Sequence, residues 1–232
     1  MKTRSQSAFT LIEMLVVISI IAVLAAFAVP ALTSALTKGQ MTGTLNNGRQ
    51  LYLAGQQMAL DGTANSDPTL TWPGDASPAI TSTKAYVNVL IAGDYIKAGD
   101  VQKLFSGPGS VCLTTITAGT PTTIDFPAAA KTAIKLYQVK DSDSSNTIFA
   151  VSNNYTYNND LTTATSPFGD KGFIVQHKGG DASILRKNQA KVVAPVTDSQ
   201  FQSTVGKVVG DVDGTASTTD TGADGRTKLT FP

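Results

Sequence analysis

The stretch Ala8-Phe9-Thr10-Leu11-Ile12-Glu13-Met14-Leu15-Val16-Val17 opens an apolar run that continues to Leu32. Within residues 9–32 Glu13 is the only charge, and residues 14–29 carry none. At roughly 1.5 Å per helical residue the run reaches about 36 Å, enough for a bilayer hydrocarbon core of about 30 Å. Lys2 and Arg4 precede it, so the short basic leader is expected to stay cytoplasmic and the bulk of the chain to lie outside.

Three readings fit such a segment. A secretory signal peptide has the same basic start and apolar stretch, and Ala26-Phe27-Ala28 supplies a small-x-small cleavage look-alike. A plain membrane anchor needs only the hydrophobic length. The third reading is a leader cut before the apolar helix, between Ala8 and Phe9. Glu13 discriminates among them. An acidic group in an apolar helix costs about 2.5–3.5 kcal/mol at the membrane centre, and neither a signal peptide nor an anchor gains from it. A cut before Phe9 creates a free amine one helical turn from Glu13, at i+4. In a packed bundle that carboxylate can pair with the amine of its own or a neighbouring chain. Such a pair would set axial stagger, as one buried polar group sets register in a coiled coil.

These ten residues resemble the class III signal of type IV pilins and type II secretion pseudopilins. The resemblance implies cleavage by a prepilin peptidase between Ala8 and Phe9, methylation of the Phe9 amine, and an assembly role for Glu13. Ala8 departs from the family's usual glycine before the cut. Pro30 falls where such helices often carry a proline that lets them kink. The implied partners are further copies of the chain in a helical filament, other pilin-like subunits, the prepilin peptidase and an inner-membrane assembly platform. The implied location is the inner membrane, single-pass with the head periplasmic, and then a pseudopilus or pilus.

Beyond the membrane segment, Leu32, Leu36, Met41, Leu45, Tyr52 and Ala59 recur at near-helical spacing. Pro30 invites a kink without ending the helix, Gly39, Gly43 and Gly48 weaken it, and Asp61-Gly62 stops it. The expected division is a leader at 1–8, a transmembrane or filament-core helix at 9–32, an amphipathic continuation at 33–62 and a globular head at 63–232. Residues 64–78 read as a loop pinned by Trp72. A short helix is expected from Thr83 to Gly93. Tyr86, Leu90 and Gly93-Asp94-Tyr95-Ile96 are similar to stretches that follow the long helix in pseudopilin-like sequences.

Strands are expected at 111–116, 134–139, 147–155, 172–176, 182–185 and 191–196. The clearest hairpin turns at Gly179-Gly180, with a positive backbone φ, and places His177 near its tip. One antiparallel sheet on the C-terminal half of the helix gives an α+β fold of the pilin-like kind.

Composition bounds the function. The chain of 232 residues has 41% apolar and 15% charged residues and a net charge of +1. Losing Lys2 and Arg4 with a leader leaves the basic residues one short of the 17 acidic ones. No broad basic surface for nucleic acid results. Cys112 is the only cysteine and His177 the only histidine, which excludes an intramolecular disulfide and a His-clustered metal site. Cys112 reads as a small core residue. No G-x-S-x-G nucleophile motif is present, so no catalytic residue is assigned and no enzyme activity is expected.

Asp211, Asp213, Asp220 and Asp224 lie among glycines near the C-terminus, carboxylates of the type calcium prefers. Major pseudopilins carry a calcium loop there, and Gly222-Ala223-Asp224-Gly225 is similar to part of it, although the spacing does not match residue by residue. A solvated loop is the competing reading. Asp141 and Asp143 read as a turn. A filament subunit driving secretion is the first reading of function, and a minor pilin for adhesion or DNA uptake is the alternative.

Overall fold

The computed structural model describes residues 10–232, beginning with a helix, α1, at Leu11–Asn65. By contact the chain divides into two units, one ending at Gly39 and the other spanning Gln40–Pro232. In the first, no residue from 10 to 36 is buried, and Leu11 and Phe27 are 83% and 77% exposed. In the second, α1 buries Met41, Thr44, Leu45, Gly48, Leu51, Ala54, Gly55, Met58 and Gly62, the three-and-four spacing of one helical face.

Met41 and Leu45 from the expected stripe are on this face, whereas Leu36 is exposed. Gly48, Gly55 and Gly62 recur every seven residues along it. Gly55 and Gly62 admit close neighbours, whereas a Cβ on Gly48 would meet Gln176 Cβ only at 3.9 Å. A Cβ on Gly55 would overlap the Tyr86 hydroxyl and stand 3.0 Å from Trp72 Cζ3. Trp72 pins its loop as expected, 1% exposed and within 5.7 Å of the Phe149 ring.

Two short helices follow. Helix α2, Thr83–Ala92, starts where Ser82 Oγ accepts the Ala85 N–H at 3.2 Å and ends where the Gly93 N–H reaches Val89 O. It buries Tyr86, Val87 and Leu90; full burial of Val87 and of Leu90 stabilises by about 1.5–3 kcal/mol each. Helix α3, Ala98–Phe105, was not expected; it buries Val101, Leu104 and Phe105. Gly99 in its first turn conceals the pattern.

The strands are β1 (Thr115–Thr117), β2 (Thr123–Asp125), β3 (Ile134–Leu136), β4 (Ile148–Ser152), β5 (Phe173–His177) and β6 (Ala182–Leu185). β1 and β2 form an antiparallel ribbon, and β3-β4-β5-β6 form an antiparallel four-stranded sheet. The β5–β6 hairpin pairs Phe173 with Leu185 and Gln176 with Ala182, and Gly180 takes the positive φ at 93°. Every residue of β4 and β5 is buried, because the sheet is covered on both faces. On one, Phe149 meets Tyr52 of α1 at 5.8 Å, and Ile174 joins Met41 and Leu45. On the other lie Tyr155, stacked on Phe173 at 3.9 Å, and Tyr157, packed on Phe201 at 5.4 Å.

That second cover overturns one expectation. Residues 191–196 form no strand; a 3-10 turn at Lys187–Gln189 leads instead to helix α4, Asp198–Val205. Its start is a capping box, with Thr197 Oγ1 accepting the Gln200 N–H and Gln200 Oε1 accepting the Thr197 N–H. His177 sits at the end of β5 beside the hairpin turn, as expected, and is buried there. It is 4% exposed, its Nδ1 2.5 Å from Asp181 Oδ2 and its Nε2 3.1 Å from Val205 O at the end of α4.

The C-terminal segment is fixed to β3 by a buried ion pair. Lys135 Nζ stands 2.9 Å from Asp220 Oδ2, with both side chains under 8% exposed. Asp220 also accepts from the Tyr137 hydroxyl at 2.7 Å, the Tyr157 N–H at 3.0 Å and Lys228 Nζ at 3.0 Å. Burial alone would raise this carboxyl, but Lys135 and the other donors outweigh it and hold it at about 2.

Two outcomes follow for denaturation of the full chain. Gly55→Ala should cost about 1–3 kcal/mol, because Tyr86 and Trp72 must move; a variant as stable as the parent would remove the close-approach role. A carboxyl depressed in the folded state stabilises above its unfolded value and loses that contribution as pH falls. From pH about 4 to about 2, the Asp220 share, about 2 kcal/mol, should disappear. Asp220→Asn should be less stable at neutral pH yet show a smaller fall over that acid range. An equal fall in parent and variant would contradict the assignment.

Candidate functional site: the helix start and the C-terminal carboxylates

Ala8 and Phe9 lie outside the described residues. The description begins at Thr10, where the chemistry is already visible. The Thr10 N–H donates to Glu13 Oε2 at 2.8 Å, and the Thr10 hydroxyl donates to the same oxygen at 2.7 Å. The Glu13 N–H donates back to Thr10 Oγ1 at 3.3 Å. This is a reciprocal capping box, which satisfies donors that a helix start otherwise leaves without partners. Sequence reading assigned Glu13 to pairing with an amine and missed this second use, although Thr10-x-x-Glu13 is its signature.

Around this polar end the surface is apolar. Ile12, Leu15, Val16, Val17, Ile20, Ile21, Leu24, Val29 and Leu32 are each at least 46% exposed. Among the described residues, α1 is the one helix long and apolar enough to cross a membrane, and none of its most apolar window is buried. A contiguous apolar surface of this extent is the mark of a membrane or protein contact. Helix α1 continues through Pro30, where the ring removes a backbone donor. The Thr33 hydroxyl donates to Val29 O at 3.0 Å and Pro30 O at 2.9 Å in the same turn.

The four C-terminal aspartates are not gathered around one point. Asp220 is engaged by Lys135 and Lys228 as described. Asp213 pairs with Lys207 at 2.7 Å, and Asp224 pairs with Arg226 at 2.6 Å. Asp211 accepts from the hydroxyl and N–H of Ser217, and burial raises its carboxyl above the ordinary value. Arg226 also grips Asp143 with two nitrogens, at 2.6 and 2.7 Å, so the turn at Asp141 and Asp143 is tied to the C-terminal segment. Lys178 Nζ holds the same turn through Asp141 O at 2.6 Å. Among the described residues no three His, Cys, Asp or Glu side chains come together as a metal site. Calcium's six to eight oxygen ligands are not assembled by these residues.

Cys112 is buried and free, and burial pushes its thiol up to about 12, which leaves it without thiolate chemistry near neutrality.

No curated protein and no solved structure matches this chain. The model of the prokaryotic N-terminal methylation motif matches residues 3–29. That span covers Arg4 and the rest of the leader from Thr3, the junction before Phe9, Glu13 and most of the apolar run. The chain therefore carries, at residues 3–29, the prepilin-type signal of type IV pilins and pseudopilins.

Proposed function

We propose that the protein is a structural subunit of a type II secretion pseudopilus or related type IV pilus-like filament. In this reading, prepilin peptidase removes residues 1–8 and methylates Phe9. Residues 9–32 hold the precursor in the inner membrane and then pack in the filament core. Residues 33–62 carry the head, 63–232, on the periplasmic side. The observation that supports the reading most is the pairing of one acidic residue with an otherwise apolar, uncovered helix surface. Lipid can cover that surface in the precursor, and the helices of neighbouring subunits can cover it in the filament. Glu13 then has a task in each setting. In the precursor it caps its own helix through Thr10; in the filament it receives the Phe9 amine of its own or an adjoining subunit.

The mass and N-terminal sequence of mature protein from the native host test the processing step. The expected product starts at N-methylated Phe9, whereas a start at Val29 would identify a signal peptide and end this account. Glu13→Val should insert in the membrane at the parent's level and assemble poorly, read as the ratio of filament to membrane pool. Normal filament yield from that variant would refute the pairing.

A further inference from the structure

We propose that Lys135 takes the place a divalent cation would hold beside Asp220, so that an internal ammonium locks the C-terminal segment and calcium adds no stability. Lys135 Nζ donates both to Asp220 Oδ2 and to the carbonyl of Tyr155. A carboxylate and a backbone carbonyl are the oxygen types a calcium ion recruits; here one ammonium donates to both instead. The remaining capacity of Asp220 is taken by Tyr137, the Tyr157 N–H and Lys228. A metal could reach this carboxylate only by displacing one of those donors.

Charge points the same way. One carboxylate faces two ammonium groups, so the node is positive and repels a further cation. Asp224 and Asp143 share the Arg226 guanidinium, a planar fork suited to carboxylates, and Asp213 has Lys207. These pairs join residues far apart in sequence, Lys135 with Asp220 and Asp143 with Arg226. They therefore do the work of a metal clip, closing long loops onto the sheet. The calcium loop that the C-terminal resemblance implies does not fit these side chains, and the disagreement has a positive content: the cation is supplied by the chain.

The test is thermal unfolding of the full chain in detergent, with a chelator and with saturating calcium, beside Lys135→Met. A calcium site filled at about a hundred times its dissociation constant would raise Tm by roughly 8 °C. The expected result is the same Tm in both conditions, and a Tm lower by roughly 10 °C in Lys135→Met, where Asp220 loses its buried partner. A saturable rise with calcium in the parent overturns the proposal, as does a Lys135→Met variant as stable as the parent. If Lys135→Met yields no folded protein, the comparison of calcium and chelator in the parent decides alone. Filament assembly enters none of these readings, so this inference and the proposed function stand or fall separately.

Discussion

An α-helix whose surface from Leu11 to Leu36 is apolar and uncovered cannot rest in water, and that constraint organises the N-terminal unit. Such a surface is the mark of a membrane or protein contact. Glu13 is the single charged group in that surface, and its carboxylate is already committed to the helix start through Thr10. A capping carboxylate at the positive end of the helix dipole sits in the environment that best tolerates its charge. This lowers the penalty of carrying an acid into an apolar setting and keeps the carboxylate at the end of the helix, adjacent to the Ala8–Phe9 junction in sequence.

The second unit solves a different problem. Its sheet is short, four strands of three to five residues, and short strands need cover on both faces to be stable. One cover is the face of α1 between Met41 and Gly62, where Gly55 admits Tyr86 and Trp72. The other combines α4 with irregular chain, namely Tyr155, Tyr157 and the C-terminal segment. Irregular chain has few ladder bonds of its own, so cation–carboxylate pairs and side-chain-to-backbone bonds hold it. Lys135 with Asp220, Arg226 with Asp143 and Asp224, and Asn158 bonded to Ser217 O and the Val192 N–H are the principal ones.

Legibility from sequence followed the range of the interactions. The helix start, its apolar length, β6 and the Thr83 helix rest on local periodicity and local caps, and they could be read directly. The capping boxes at Thr10 and Thr197 are equally local; Glu13 draws attention for its charge, and the Thr197–Gln200 box begins just past the expected strand 191–196. Helix α3 was obscured by Gly99, a residue whose helix penalty is outweighed by the burial of Val101, Leu104 and Phe105. What could not be read is whatever depends on a distant partner. His177 is buried because α4 lies over it, Gly55 matters because Tyr86 lies against it, and Asp220 meets a lysine 85 residues away.

In the proposed filament, Glu13 and the mature N-terminus together set the stagger between subunits. A helical reconstruction of the native filament at a resolution that shows side chains tests it most directly. The account predicts the Glu13 carboxylate within about 4 Å of a Phe9 amine in every subunit, an ion-pair distance. Filaments in which every Glu13 contacts only its own Thr10 or solvent, with the amines elsewhere, would contradict it.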